Sequence, residues 1–406
     1  MHNPEIAIIG GGAAGFFAAI QLAKLLPNAR MVIFEQSGEV LQKVKISGGG
    51  RCNVTHACYE PKELVKHYPR GEKELLGPFH KFGPAEMTAW LEKEGVRLKT
   101  ESDGRIFPQS DSSQTIIDCF LYLTRKAGIS VRKKEGLKDL QKQGDRWTLT
   151  TTVDTYAFDQ ILLACGSNKQ IWDMLARLGH TIVPPVPSLF TFNIDSIWLK
   201  ALQGISVNKV SLRIEKANLS SEGPLLITHW GLSGPAILKL SAWGARELAD
   251  LQYKFELTLN WFAEPTENVR FLLKKFGSEN REKQVDTLAP GLLPKRLWQR
   301  LCADFALLPG CKWKHLQEND YREMAENLTH QRFQVNGKST FKDEFVTAGG
   351  VALNEIQFSN MQSKLHPGLY FAGEIINVDA ITGGFNFQNA WTTAFLAARG
   401  MAVEYA

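Results

Sequence analysis

Three glycines and one carboxylate carry the first chemical signal: Gly10, Gly12 and Gly15 stand in the order G-x-G-x-x-G, and Glu35 follows twenty residues after the last of them. Each has a mechanical task. A glycine at 10 permits a tight turn, one at 12 leaves no Cβ between backbone and an approaching pyrophosphate, and one at 15 lets a helix pack closely on a strand. The helix that starts here, with Ala13 and Ala14 in its first turn, offers unpaired N–H groups and the positive end of its dipole to phosphates. Glu35, with Gln36 beside it, suits the hydroxyls of an adenosine ribose and repels a 2′-phosphate, which disfavours NADP. The pattern predicts a bound dinucleotide.

Such residues need a strand, a turn, a helix and a second strand to hold them, and the sequence supplies all four. Glu5 to Ile9 is a short apolar run, Ala13 to Leu26 is rich in helix formers until Pro27 stops it, and Met31 to Glu35 is apolar again. This predicts one right-handed βαβ unit with parallel strands buried on both faces. A second glycine cluster follows in KVKISGGGRCN, residues 43 to 53, with Gly48 to Gly50 beside Lys43, Lys45 and Arg51. Backbone donors and positive charge there suit a long pyrophosphate-linked ligand. A nicotinamide dehydrogenase does not need this loop, whereas FAD, reaching toward its flavin, does.

At 406 residues the chain is longer than one core usually grows, so two domains are expected. A net charge of +5 is small for this length, partly from Arg132, Lys133 and Lys134, and no dense basic or aromatic stripe marks a nucleic-acid partner, which is not expected. The six cysteines form no disulfide framework and no metal-ligand spacing, which fits a reducing cytoplasm and no metal. Ile6 to Ile20 is broken by glycines and lacks a basic leader, so neither signal peptide nor membrane span is expected.

Further along, Pro84 opens a helix that Gly95 closes, and Asp111 is expected to cap another with Gln114 reaching back. Alternation from Trp147 to Phe158 reads as an antiparallel meander leading into the apolar strand Ile161 to Ala164. After Pro184, Pro185 and Pro187 the texture changes to half-exposed strands, at Val210 to Ile214 and Phe255 to Trp261. From Asn268 to Leu328 the period is helical. The last seventy residues return to the first style, with apolar Leu369 to Ala372, a glycine turn and a helix from Asn386 to Arg399.

The stretches SGGGRCNVTHA (47 to 57), GRIFPQSD (104 to 111), THWGLSGPAIL (228 to 238), FVTAGGVALNEI (345 to 356) and GLYFAGEIINVDAITGGFNFQNAW (368 to 391) together resemble a family of bacterial two-domain FAD proteins. Its members include aminoacetone oxidase-like proteins and bile-acid-type enone reductases. The resemblance implies an α/β fold: a Rossmann-type, glutathione-reductase-like FAD domain over 1–190 and 336–406, and an inserted α+β substrate or cap domain over 191–335 with a strand-rich, barrel-like part and a helical part. By the same resemblance Gly10 to Gly15 hold the pyrophosphate and Glu35 the ribose, with Gln36, Lys43, Ser47, Gly48, Gly49, Arg51, Cys52 and Asn53 along the cofactor. Leu137 offers its backbone to the adenine, and Ala164 and Gly166 match a loop at the ADP half in which Cys165 stands for the usual threonine. Gly373 and Glu374 match a glycine-aspartate loop near the ribityl chain, with glutamate here. Gly383, Gly384, Phe385 and Asn386 then present a helix N-terminus to the flavin N1/O2 edge, where reduction gathers negative charge.

The chemistry expected is hydride transfer at flavin N5 on a small organic substrate, with NAD(P)H or oxygen as redox partner and no single catalytic side chain assigned. Two alternatives stand beside it. Cys52 and Cys58 suggest a flavin-linked dithiol or disulfide reductase, although six positions on a helix put side chains on opposite faces. A flavin-binding, RNA-associated protein without turnover is the other. His229, Asn53, His80 and Phe107 are polar or aromatic candidates near the substrate, each also explained by a plain structural role.

Overall fold

A computed structural model describes residues 3–291, 293–305, 307–339 and 346–405; of the stretches read above, residues 292 and 306 in the helical run and residue 345 fall outside them. The chain divides into two compact units, Met1–Val186 with Lys342–Ala406, and Pro187–Phe341.

The first unit is built on five parallel strands, in the order Leu369–Phe371, Gln160–Leu163, Glu5–Ile9, Arg30–Glu35, Ser130–Lys133, extended at the Leu369 edge by two short antiparallel strands. Continuous apolar runs make these strands because both faces are covered: Ile6, Ala7, Ile8, Leu162 and Phe371 are wholly buried. The first helix, Ala13–Leu25, and the closing helix, Phe385–Val403, are buried along nearly their full length, which their all-round apolar surface requires. They pack on each other, and the Phe17 ring meets Trp391 edge-on at 5.6 Å. The strand that opens the chain and the helix that closes it thus share one core.

A small antiparallel sheet, Thr55–His56, Arg105–Pro108 and Leu98–Thr100, follows the second glycine cluster. The meander is present as Leu137–Gln143, Arg146–Thr151 and Thr155–Phe158. The helix expected to be capped by Asp111 starts instead at Gln114, with Ser113 before it making no side-chain cap. Asp111 lies at φ +54° and its carboxylate pairs with Lys99 and Arg51, partners that hold a carboxylate more strongly than a helix N–H does.

In the second unit seven antiparallel strands run in the order Gln331–Val335, Phe255–Asn260, Ser206–Ile214, Leu219–Ile227, Gly231–Ser233, Thr191–Asn193, Gly337–Ser339. The two edge strands are one chain segment interrupted only at Asn336, whose N–H donates to the Asn193 carbonyl at 2.9 Å. One segment thus pairs with Phe255–Asn260 through its first half and with Thr191–Asn193 through its second, which closes the order of strands into a barrel. Helices Thr266–Glu279, Lys295–Cys302 and Glu318–Thr329 form the helical part around Leu273, Trp298, Trp313 and Met324.

Candidate functional site

The opening glycine turn shows three different constraints at its three glycines. Gly10 has φ +113°, and a Cβ there would lie 2.4 Å from the Ala164 carbonyl oxygen; at Gly15 it would lie 2.0 Å from the Gly10 oxygen. At Gly12 it would meet nothing within 4 Å. Two glycines thus serve close packing, and the middle one faces open space at the start of a helix that no side chain caps. Glu35, at the end of the neighbouring strand, accepts from Gly11 N–H and Ser37 N–H, both at 2.8 Å. Each of its oxygens keeps a lone pair for a ligand hydroxyl.

Beside Gly10 a cleft is lined by Glu35, Gln36, Leu137, Cys165, Asn168 and others, so residues more than a hundred positions apart meet at the end of the parallel strands. Asn168 escaped the sequence reading. Its oxygen caps the helix Lys169–Arg177 at Gln170 and Ile171, and its amide donates to Gln36 at 3.4 Å. An asparagine two residues past the Ala164–Gly166 loop was the available signal.

The second glycine cluster ends a short helix, Gln42–Gly50, by turning left-handed: Gly48, Gly49 and Gly50 have φ of +58°, +69° and +84°. Gly49 and Gly50 face open space, while a Cβ on Gly48 would crowd the Phe107 ring at 3.0 Å. Arg51 is engaged by protein carboxylates. Its guanidinium lies 4.0 Å over Phe107 and pairs with Glu101 at 2.6 Å and Asp111 at 3.6 Å. Lys43 pairs with Glu374, and both approach Gly166, whose Cβ would stand 3.6 Å from the Glu374 carboxylate. Gly373 packs on Ala14 of the first helix and donates its N–H to Thr393 at 2.9 Å.

Cys52 is buried, and burial pushes its thiol up to about 12; burial also raises Cys58, and both are free thiols. They do not share a helix: Cys58 follows the short strand Thr55–His56.

The closing helix begins against this same cluster. Gly383 and Gly384 have φ of +128° and +91°, and a Cβ on Gly384 would meet the Thr55 backbone at 2.6 Å. The Asn53 amide, oriented with its oxygen toward Gly384, accepts that N–H at 2.9 Å and donates to the Ile106 and Thr55 carbonyls at 3.2 and 3.0 Å. Tyr68 donates to the Phe385 carbonyl at 2.6 Å, and Asn386 closes the loop on both polar groups of Ala380 at 3.0 Å. The Phe385 ring contacts both His56 at 4.7 Å and His67 at 4.2 Å in near-parallel orientation, and the two imidazoles lie 6.1 Å from each other. Asp379, wholly buried, receives Arg70 on both carboxylate oxygens. The helix start is therefore fixed from several sides, its dipole pointing out of the protein's core at the glycine pair. His80 is exposed on another helix, and His229 lies exposed in the second unit.

Among the described residues no cluster of His, Cys, Asp and Glu suits a metal, and no helix is long and apolar enough to cross a membrane. A parallel sheet with a glycine turn, a carboxylate at the end of the second strand, a second glycine loop and a glycine-started closing helix defines an FAD-binding oxidoreductase of the Rossmann class. Residues 4–400 match the HI0933-like protein Rossmann domain, and the chain belongs to that family. It is 28% identical to a ribosomal RNA dihydrouridine synthase of Escherichia coli, over 99% of this chain and 98% of that protein. It is 24% identical to a 3-dehydro-bile acid delta(4,6)-reductase of Clostridium scindens, over 98% and 99%. Its fold resembles the 3-ketosteroid delta1-dehydrogenase of Sterolibacterium denitrificans, with a TM-score of 0.51 at 10% identity covering all of both chains.

Proposed function

We propose that this protein is an FAD-dependent reductase that saturates a carbon–carbon double bond conjugated to a carbonyl, and that its substrate is a uracil ring in RNA. The observation that carries this reading is the near end-to-end likeness to relatives whose names describe one chemistry on two rings: uridine to dihydrouridine, and reduction of a delta(4,6)-unsaturated 3-dehydro bile acid. In both, an alkene made electron-poor by a carbonyl accepts a hydride at one carbon and a proton at the other. An RNA substrate reverses the expectation drawn from net charge. The sequence shows no dense basic stripe, so recognition is expected to lean on the base, and the salt dependence of binding reads the number of phosphates held.

The residues present fit the cofactor: Gly12, Gly49 and Gly50 leave open space that a Cβ would fill, and two helix starts carry no side-chain cap. In this reading Gly10, Gly12, Ala13, Ala14 and Gly15 hold the pyrophosphate, Glu35 and Gln36 the ribose, and Leu137, Ala164 and Gly166 the adenosine half. Lys43 and Glu374 exchange their mutual pairing for phosphate and ribityl contacts. Ser47, Gly48, Gly49, Cys52, Asn53 and Gly373 wall the middle. Arg51 acts by holding the loop. Gly383, Gly384, Phe385 and Asn386 form the helix start that directs its dipole to the flavin pyrimidine edge, with the Gly384 N–H held by Asn53. When bound, the reduced flavin supplies the hydride, recharged by a nicotinamide donor. The buried position of Cys52 and its raised thiol speak against the dithiol alternative, since the thiolate is the reactive form. Six free cysteines suit a reducing, cytoplasmic setting.

The test is direct. Holoprotein with NADH or NADPH is incubated with unmodified ribosomal RNA transcript, and separately with a conjugated steroid enone. Nucleoside mass spectrometry then looks for dihydrouridine, and absorbance for loss of the enone. Flavin that is reoxidised by oxygen while neither product forms would remove the proposal in favour of an oxidase.

A further inference from the structure

In the second unit the strands Leu219–Ile227 and Gly231–Ser233 are joined by a four-residue turn, Thr228 to Gly231, whose tip is His229 and Trp230. Tight hairpin tips favour glycine, asparagine and positive φ; neither tip residue has that type or that backbone. The backbone is nonetheless pinned. Thr228 N–H donates to the Gly231 carbonyl at 2.8 Å, Trp230 N–H donates to the Thr228 hydroxyl at 3.3 Å, and Ile194 N–H donates to the Trp230 carbonyl at 2.9 Å. Gly231 lies so close to the neighbouring strand that a Cβ would stand 2.3 Å from the Phe192 oxygen.

On this rigid support the two rings lie 4.5 Å apart, and both are exposed, Trp230 by 49%. About half of Trp230 stays exposed, so packing accounts for only part of a tryptophan there. A local rule broken without a full packing gain marks a site of use. Two rings on a two-residue tip form no groove for a helix or strand; tilted by 44° to each other, they present the flat face of the indole with an imidazole beside it that carries a hydrogen-bonding nitrogen. We infer that His229 and Trp230 form a stacking platform for a pyrimidine base of single-stranded RNA, an assignment that rests on the uracil reading above. Stacking suits a protein whose weak charge offers little hold on phosphates.

The test uses holoprotein titrated with single-stranded oligouridylate while tryptophan emission is followed, in the wild type and in Trp230→Phe, which keeps a ring but removes that fluorophore. Quenching present in the wild type and lost in Trp230→Phe supports the platform. So does an affinity about 5- to 150-fold weaker in Trp230→Ala, as expected for one stacked base, with Trp230→Phe close to wild type. Equal affinity in Trp230→Ala overturns it, as does a Trp230 response to a steroid enone with none to oligouridylate. The two readings fail separately. Dihydrouridine formed by Trp230→Ala with an unchanged KM removes the platform alone; quenching by oligouridylate without any dihydrouridine from the wild type removes the reaction and leaves the platform.

Discussion

Gly12 is the position at which folding and cofactor binding come apart. Its backbone lies at φ −95° and ψ −168°, open to any residue, and an added Cβ meets nothing within 4 Å. Gly12→Ala should therefore leave the apoprotein as stable as wild type or raise it by about 0.5 kcal/mol through the unfolded chain. Gly15→Ala makes the contrast, because its Cβ lands 2.0 Å from the Gly10 carbonyl oxygen, a backbone atom with no rotamer to turn aside. Strand and helix must separate there, at a cost of about 2 kcal/mol or more.

On the proposed placement of FAD, the methyl added by Gly12→Ala takes the open space through which the pyrophosphate would reach the first helix. Losing two charge-assisted hydrogen bonds at about 1.5 kcal/mol each gives about 3 kcal/mol, or about 150-fold in Kd. Flavin-stripped protein is titrated with FAD by fluorescence quenching, and the apo forms are melted by circular dichroism. A folded Gly12→Ala that binds FAD within about threefold of wild type would refute the placement of the phosphates. An apo form that melts well below wild type would refute the open space itself.

Arg70→Ala strips the cation from a wholly buried carboxylate, Asp379, in the loop that leads to the closing helix. The expected loss is about 3 kcal/mol or more, seen in urea unfolding, together with faster FAD release. His180 is buried, with Nδ1 on Glu355 at 2.9 Å and Nε2 on the Ser363 hydroxyl at 3.1 Å, and His366 packs 5.6 Å away. Burial lowers its pKa below the ordinary 6.5 against the pull of Glu355, so the unfolded chain takes up the proton first. That stability is complete above about pH 6.5 and is lost as pH falls through it, by at most about 1.4 kcal/mol per pH unit. Melts from pH 8 to 5 should show a shallower acid limb in His180→Gln, and an identical limb counts against the argument. A Cys52 thiol at about 12 leaves on the order of one part in ten thousand as thiolate at pH 8. Alkylation of Cys52 should follow unfolding alone, and Cys58→Ser should turn over at the wild-type rate; a slow Cys58→Ser would reopen the dithiol route.

What could be read beforehand follows from how far apart the interacting residues stand. The glycine turn, its strands and Glu35 lie within one βαβ unit, where period and spacing carry the whole pattern, and the structure builds them together. The closing helix was legible for a different reason: its apolar residues run around every face, which only a buried helix tolerates. Arg51 was not legible, because Glu101 and Asp111, which hold it, arrive from fifty and sixty residues away and are ordinary surface acids in sequence. Its pairing with Arg51 and Lys99 took Asp111 from the helix it was expected to cap. Barrel closure was hidden by a single residue, Asn336, which splits one segment between the two edges of the sheet. Trp230 reads in sequence as one more aromatic near a glycine turn. Its exposure on a hairpin tip held from three sides separates it from the five tryptophans that lie wholly buried in the two cores, and from Trp243, which is exposed at the end of a helix. Sequence thus shows what local spacing decides, and it is the long-range pairing of charges and the rigidity beneath an exposed ring that the fold alone reveals.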